Sequence, residues 1–502
     1  MATKLRQLNL GTSRGAVGPV STFAAGAMGL TLLTLILLRA GTHAGTTALV
    51  LGLALLIALA TLRNSGSAVV LWLAASVLSL GLDQKGTLSL DRLAFVALVA
   101  VWFAEIISGK RHLPHFGAVE GMMILYIAME IGSALAPHEF PSAAPDGRTI
   151  SLVQLIQTSA LVPFTLFVIA RSALGTGLAV RRFLWFLIGF ATYLSLVGIA
   201  QFNGLDGLVW PKFILRSTWH NRAAGIFDQP IVSGLVIAIG LGAAVLVASQ
   251  RGERLRWVAA ACAATMGPGI YYTHSRAPLL AAVVVVVGGL VFARGFRTGF
   301  LIITTAAVLI VAANWSTVTS SDRTKGGIAS SSELDDRLNT IATSQWAIAQ
   351  KPIFGWGLGR FSLVNTVHHQ QWGNIDWRRG YTITSHETEF GIATELGLVG
   401  LGIWLGLLAA LAARVGRAWR ALPRSGLTGR AFGTVFFLAM AAWLASGTTF
   451  ELRFFQIVNG IIFIWGGTVV ALADRATVEK NLAGGRPSLF PADRRSGTDL
   501  GL

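Results

Sequence analysis

Residues 382–400 read TITSHETEFGIATELGLVG, a polar segment with one histidine that leads directly into an apolar helix. The histidine, His386, stands where a membrane helix would meet water. An imidazole at such a position is suited to proton transfer, because imidazole exchanges protons near neutral pH. Taken alone, a histidine that only caps a helix start is the simpler interpretation. Other features of the chain favour the reactive role.

The composition is that of a membrane protein. Of the 502 residues, 53% are hydrophobic and 13% are charged, and the mean hydropathy is +0.64. This apolar content exceeds what a water-soluble core can bury, so we predict an all-α polytopic membrane protein. The formal net charge is +17, but Lys and Arg cluster between apolar runs, as the positive-inside rule requires, so nucleic acid is not expected as a partner. The single cysteine, Cys262, excludes an internal disulfide.

Apolar runs predict about 12 to 14 transmembrane helices. They lie near residues 22–40, 45–62, 67–82, 92–107, 118–135, 152–170, 183–201, 229–248, 255–272, 277–293, 298–313, 391–413, 431–447 and 455–473. The runs at 67–82 and 298–313 are short enough to be re-entrant. With the amino terminus inside, more than half of the 40 Lys and Arg fall on the inner side, so both termini are predicted to be cytoplasmic.

The predicted organisation follows from these runs. Residues 1–19 are polar and basic without a signal-peptide pattern, so the first apolar helix is expected to remain as an anchor. The predicted parts are a cytoplasmic segment (1–21), amino-terminal membrane helices (22–200), further membrane helices with outer arginine segments (201–313), a large extracytoplasmic loop (314–390), carboxy-terminal membrane helices (391–474) and a disordered cytoplasmic tail (475–502).

Three predicted outer segments carry candidate functional residues. Gln201–Asp228 mixes aromatic and basic residues, as a segment at the membrane interface does. Arg276 lies in a short link between apolar runs, where an uncompensated guanidinium calls for an anionic partner. In the large loop, residues 332–350 have helical spacing. The G-x-G-x-G at 355–359 follows, and its glycines are expected to let the backbone approach a ligand or membrane surface closely.

Arg222, Arg276 and His386 all fall on the predicted outer side. Arginine binds phosphate oxygens through two parallel hydrogen bonds, and an imidazole can accept the proton of an attacking hydroxyl. This combination suits transfer from a lipid diphosphate, because two guanidinium groups can neutralise the leaving group without a metal. His274 and the pair at 368–369 lack a spaced third ligand, so neither a metal site nor a cofactor is expected.

These residues resemble motifs of the bacterial O-antigen ligases and the related Wzy-type polymerases. Arg276 with Leu280, and His386 with Gly397, match the spacing of two ligase motifs. RAAGIFDQP, residues 222–230, resembles their Arg-x-x-Gly-x-Phe segment. Residues 337–361 are similar to the family's outer-loop helix and glycine segment. The likeness covers roughly residues 200–415.

The resemblance implies an inverting, metal-independent glycosyltransferase with a GT-C-like fold in the bacterial inner membrane. Its donor would be a glycan on undecaprenyl diphosphate, and its acceptor would be another glycan or lipid A core on the outer side. By this analogy Arg222 and Arg276 bind the diphosphate, and His386 activates the acceptor hydroxyl. Membrane lipids and other envelope-assembly proteins are the further partners that the resemblance allows.

The chain also departs from the family pattern. The family usually has Pro then Asn after its Gly-x-Phe segment, where this chain has Asp228-Gln229-Pro230. An Asn commonly follows the histidine, where this chain has Glu387. Glu387 and Glu389 are expected either to raise the basicity of the imidazole or to bind sugar hydroxyls.

Further polar residues of the outer side are open to two interpretations. Arg360, Arg378 and Arg379 could guide the diphosphate or a polyanionic glycan, and a solvated loop surface explains them equally well. Glu451 and Arg453 lie in a very short outer loop and are expected to pair with each other.

Several functions remain open from the sequence. A ligase moves a finished glycan onto another molecule, whereas a polymerase adds the growing chain to the next lipid-linked repeat unit. A transporter or flippase is a second class, but such proteins place charges near the bilayer midplane and often contain internal repeats, and neither is apparent in the sequence. A non-catalytic scaffold of an envelope complex is a third class.

Overall fold

The computed structural model describes residues 65–82, 89–142, 150–219, 222–322, 327, 332–378, 381 and 383–483. Within these residues the regular structure is helical, without β-strands. The prediction of an all-α polytopic membrane protein is therefore confirmed. Four parts of the prediction lie outside the described residues: the segment 1–21, the spans at 22–40 and 45–62, and residues 484–502 of the tail.

Every predicted apolar run within the described residues forms a helix. These helices are α1 (Ser65–Gly81), α2 (Leu90–Ile107), α3 (Ala118–Leu135), α4 (Leu152–Ala173), α5 (Gly177–Phe202), α6 (Pro230–Ala248), α7 (Arg256–Tyr271), α8 (Arg276–Phe292), α9 (Arg297–Ala313), α12 (Thr388–Ala421), α13 (Arg430–Gly447) and α14 (Gln456–Ala483). The predicted outer loop contains α10 (Ser332–Gln350) and α11 (Phe361–His368).

Among the described helices, 7 are long and apolar enough to cross a membrane. They are α3, α4, α5, α6, α12, α13 and α14. Helices α1, α8 and α9 are apolar but have only 17 residues each. Helix α14 continues to Ala483, so the predicted tail at 475–502 begins within a helix and not as a disordered segment.

Helix α6 forms the centre of the bundle. Its sequence, PIVSGLVIAIGLGAAVLVA, is apolar on every side, and every residue except its last is buried. Pro230 occupies its first turn, where a missing backbone N–H costs no hydrogen bond. At Gly234 a Cβ atom would lie 2.3 Å from Pro278 Cβ. The start of α6 therefore packs directly against the start of α8, the helix that begins with Arg276.

Helix α12 is kinked close to its start. Gly397 has φ 70° and ψ −174°, a conformation that breaks the run of helical hydrogen bonds. The segment at 352–359 supplies replacement partners: Leu398 N donates to Pro352 O at 2.7 Å, and Gly357 N donates to Glu395 O at 2.8 Å. Gly355 packs against the backbone of α12, Gly357 bonds to it, and Gly359 lies beside the side chains of Leu152 and Ser142. That these glycines also approach a ligand or the membrane stays a prediction.

Candidate active site

Three arginines line one small cavity at an end of the helix bundle. Arg222, Arg276 and Arg337 come from the loop before α6, the start of α8 and the outer-loop helix α10. The cavity has a volume of about 30 Å³, and its other lining residues are Ile231, Ser275, Ala277 and Leu334. The structure thus brings together the two arginines predicted to bind a diphosphate and adds a third.

Each arginine is positioned by its local backbone. Arg222 is half-buried, and its guanidinium lies over the Trp219 ring at 5.0 Å. Its neighbour Ala223 donates its N–H to Tyr272 O at 2.8 Å, which holds this loop against the end of α7. Arg276 is exposed as the first residue of α8, because the chain turns there from one membrane helix into the next.

Arg337 was not among the predicted site residues. It lies in the second turn of α10 and is half-buried. Leu334 precedes it by three residues and lines the same cavity, so both lie on one face of the helix. The sequence signal that could have identified Arg337 is an arginine on the apolar face of an amphipathic helix.

The cavity favours an anion for two reasons. Its lining includes three guanidinium groups, and it lies at the amino-terminal ends of α6 and α8, where unpaired backbone N–H groups and the helix dipole attract negative charge. A volume of about 30 Å³ holds a few water molecules at most. A diphosphate would therefore require the arginine side chains to move apart and close around it.

His386 and Glu387 lie beside this cavity. His386 is half-buried, and Glu387 is buried as the residue that precedes the first residue of α12. Burial raises the pKa of Glu387 to about 8, the positive charge of Arg337 opposes this rise, and Glu451 and Glu389 add to it. Arg337 acts electrostatically on Glu387 and also lines the arginine cavity, so the histidine segment lies within electrostatic range of that cavity.

Glu387 is therefore mostly protonated at neutral pH. Within the described part of the chain, its Oε2 atom is buried and makes no hydrogen bond. A neutral carboxyl can donate and accept hydrogen bonds, whereas raising the basicity of an imidazole requires a negative charge. The geometry favours the second of the two roles expected for Glu387, which is binding of a sugar hydroxyl. Glu389 lies in the first turn of α12 and is half-buried.

Comparison with known proteins agrees with this site. Residues 261–405 match the family model of the O-antigen ligases. This part of the chain is therefore similar to the O-antigen ligases. The match runs from within α7 into α12 and includes Arg276, Arg337 and His386, whereas Arg222 precedes it. A search of curated proteins gave no match. The similarity to that family indicates a glycosyltransferase-like enzyme that uses a lipid-linked glycan and an acceptor in a membrane.

A buried ionic network lies next to the candidate site. The predicted pairing of Glu451 with Arg453 is confirmed: Arg453 Nε and Nη2 donate to the two carboxylate oxygens at 2.9 and 2.8 Å. Arg453 Nη1 also donates to Glu395 of α12 at 2.8 Å. Thr388 adds a contact, since its hydroxyl donates to Phe450 O at 2.9 Å. The network joins the start of α12, and with it the His386 segment, to the loop between α13 and α14.

Two of the remaining predicted residues, Arg360 and Arg378, do not line the arginine cavity. Arg360 is buried, and it donates from Nε to Phe140 O and from Nη1 to Leu358 O, both at 2.7 Å. Burial lowers the pKa of Arg360. Arg378 is exposed and lies 3.5 Å from Asp335. Arg379 lies outside the described residues. Among the residues that the structure describes, no group of three or more His, Cys, Asp and Glu is arranged to hold a metal ion.

Proposed function

We propose that the protein transfers a glycan from undecaprenyl diphosphate to an acceptor hydroxyl at the outer face of the inner membrane, as an O-antigen ligase. The observation that supports this proposal is the shared cavity of Arg222, Arg276 and Arg337 beside the His386–Glu387 segment. The arginines supply three permanent positive charges, which suit a diphosphate leaving group. His386 supplies the proton acceptor.

In the proposed reaction the donor diphosphate binds between the three arginines. His386 accepts the proton of the acceptor hydroxyl while the hydroxyl oxygen bonds to the anomeric carbon of the glycan. The bond between that carbon and the diphosphate oxygen breaks, and the electron pair leaves with the undecaprenyl diphosphate. Attack from the face opposite the diphosphate inverts the anomeric configuration. The arginines stabilise the charge that develops on the leaving oxygen, and no metal is required.

Glu387 has a separate role in this scheme. As a neutral, buried acid beside the histidine, it can hydrogen-bond a hydroxyl of the acceptor sugar without competing with the diphosphate for Arg337. Glu389, on the first turn of α12, is the second candidate for contact with the acceptor.

The test is reconstitution of the purified full-length protein in vesicles with a lipid-linked glycan donor. One reaction contains lipid A core as acceptor, and another contains a second lipid-linked repeat unit. A ligase converts the lipid A core to one larger product in the first reaction. A ladder of products in the second reaction would instead show the polymerase alternative, which the family match does not separate from a ligase. Movement of unaltered donor across the bilayer, without any product, would identify a flippase and exclude the proposed transfer.

A further inference from the structure

A second cavity, of about 250 Å³, lies where α1, α4, α5 and α14 meet. Four arginines line it: Arg111, Arg171, Arg182 and Arg475. Its other described lining residues are Gly66, Ser67, Ser172, Ala173, Gly175, Thr176, Leu178, Ala179 and Ala471. None of these described lining residues is acidic, so the charged groups that face the cavity are all guanidinium groups.

This basic cavity and the candidate active site lie at opposite ends of the bundle. Helix α5 begins at Gly177, beside the basic cavity, and ends at Phe202, ahead of the loop that carries Arg222. Its 26 residues span about 39 Å at 1.5 Å per residue. Helix α14 runs the other way, from Gln456 near Arg453 to Arg475 in the cavity. A separation of this size places the basic cavity at the level of the opposite lipid headgroups.

Three of these arginines form ion pairs with glutamates that do not line the cavity, and these pairs fix the positions of the guanidinium groups. The pairs are Arg111–Glu105 at 2.5 Å, Arg171–Glu120 at 2.6 Å and Arg475–Glu479 at 2.9 Å. Arg182 is different: it is exposed, it donates to Ser67 Oγ at 2.9 Å, and it makes no ion pair with any residue in the described ranges. The cavity therefore has positioned guanidinium groups and, at Arg182, a positive charge that no described carboxylate neutralises.

A helix terminus adds to the attraction for anions. Gly175 and Thr176 line the cavity immediately before α5, and the Thr176 hydroxyl accepts a hydrogen bond from Ala179 N at 3.2 Å. The amino-terminal end of a helix of 26 residues presents backbone N–H groups and the positive end of its dipole. Arginine side chains and backbone N–H groups together form the surroundings that a phosphate prefers.

We propose that this cavity binds the phosphate of an anionic phospholipid headgroup. The cavity lies at the ends of the membrane helices α4, α5 and α14, where headgroups are present at high concentration. Leu178 also lines it, with 55% of its surface exposed, which provides an apolar contact for the lipid next to the arginines. A volume of about 250 Å³ is below the roughly 300 Å³ at which pockets for drug-sized ligands begin, and it suits a headgroup.

The experiment titrates the purified full-length protein in neutral detergent with phosphatidylglycerol and counts bound lipid by native mass spectrometry. Removal of one surface arginine near an anionic headgroup weakens binding about five-fold, so Arg182→Gln should raise the dissociation constant by that factor. The matched control is Arg181→Gln, which removes the same charge one residue away. Arg181 pairs with Glu253 at 2.7 Å and does not line the cavity. If Arg182→Gln does not fold, Arg475→Gln replaces it, since the Arg475 side chain is 54% exposed.

The outcomes separate the sources of the phosphate. Weaker binding of phosphatidylglycerol by Arg182→Gln, with wild-type binding by Arg181→Gln, supports the proposal. Equal affinity for phosphatidylglycerol in wild type, Arg182→Gln and Arg181→Gln overturns the proposal. An equal loss of affinity in both variants overturns it as well. Displacement of the lipid by inorganic phosphate in solution would assign the cavity to a free phosphate and overturn the lipid assignment. Binding of phosphatidylcholine as tightly as phosphatidylglycerol would show that net negative charge is not recognised, and would overturn it too.

Discussion

At the scale of single residues, the proposed reaction gives His386 and Glu387 different roles. Both stand at the point where the outer loop enters α12, but only Glu387 is fully buried. A buried carboxyl with a pKa of about 8 behaves as a neutral hydrogen-bonding group at neutral pH. The proposed function therefore assigns proton acceptance from the acceptor hydroxyl to His386, and two substitutions test the two roles.

Substitution of His386 by alanine should abolish transfer without loss of donor binding. A general base contributes roughly 10² to 10⁴-fold to a rate, so product formation should fall by at least that factor. The arginine cavity remains intact in this variant, and binding of the lipid-linked donor should stay at the wild-type level. The control is His112→Ala, since His112 is exposed next to Arg111 at the opposite end of the bundle. Wild-type transfer by His386→Ala would exclude the histidine as the base.

Substitution of Glu387 by glutamine should change how stability depends on pH. In the unfolded chain this carboxyl ionises near its ordinary pKa of 4.5, whereas in the fold its pKa is about 8. The stabilising contribution of this carboxyl to the free energy of unfolding is therefore fully present below pH 4.5. It is lost as the pH rises through about 8. Glutamine stays neutral, so the Glu387→Gln protein should keep a flatter profile and melt a few degrees higher than wild type above that pH.

Thermal unfolding across this pH range measures the effect. The matched control is Glu139→Gln, because Glu139 is an exposed carboxylate that pairs with Lys351 at 3.0 Å. This control should follow the wild-type profile. Identical profiles for wild type and Glu387→Gln would show that the buried carboxyl does not hold its proton in the folded protein.

At the scale of secondary-structure elements, apolar length identified the helices correctly. Each predicted run in the described residues is a helix, and the amphipathic pattern at 332–350 predicted α10 with the bounds found. The protein neighbours of the glycines at 355–359 were not predicted. Gly355 and Gly357 meet the kinked α12, and Gly359 meets Leu152 and Ser142. These neighbours come close only in the folded chain, and a positive φ does not indicate which neighbour the backbone will meet.

The kink gives a prediction at this scale. Gly397→Ala should destabilise the protein by about 1–3 kcal/mol, since only glycine readily adopts φ 70° with ψ −174°. The added Cβ would also lie 2.1 Å from Ile353 O, so the 352–359 segment would have to move. Thermal unfolding of the purified protein measures the loss. Gly402→Ala is the control, because Gly402 is exposed in the same helix and an added Cβ there would meet no described neighbour within 4 Å. It should be neutral or stabilising by up to about 1 kcal/mol.

At the scale of the whole molecule, the arginine cavity depends on how distant segments pack. The close approach of α6 to α8 at Gly234 and Pro278 aligns the two helix starts, and α10 of the outer loop adds Arg337. The cavity is therefore a product of the complete bundle. A diphosphate bound there would contact groups from three segments at once, so every segment should contribute to donor affinity.

Lysine substitutions test this joint site. Arg222→Lys, Arg276→Lys and Arg337→Lys should each weaken donor binding about 10 to 100-fold, since a lysine keeps the charge but loses the paired hydrogen bonds to phosphate, worth about 1.5–3 kcal/mol. Equilibrium binding of the lipid-linked donor measures this. The control is Arg216→Lys, an exposed residue of the same loop as Arg222 that does not line the cavity. Unchanged affinity in all three variants would remove the diphosphate role.

The sequence alone determined the membrane class, the helices within the described chain and the pairing of Glu451 with Arg453, because apolar length and neighbouring opposite charges are local properties. It also indicated Arg222, Arg276 and His386. Only the tertiary structure decided that Arg337 completes the arginine cavity, that Arg360 bonds to backbone carbonyls, and that Glu387 holds its proton. Burial and the distances between groups on different helices depend on packing across the bundle, which no local pattern in the chain records.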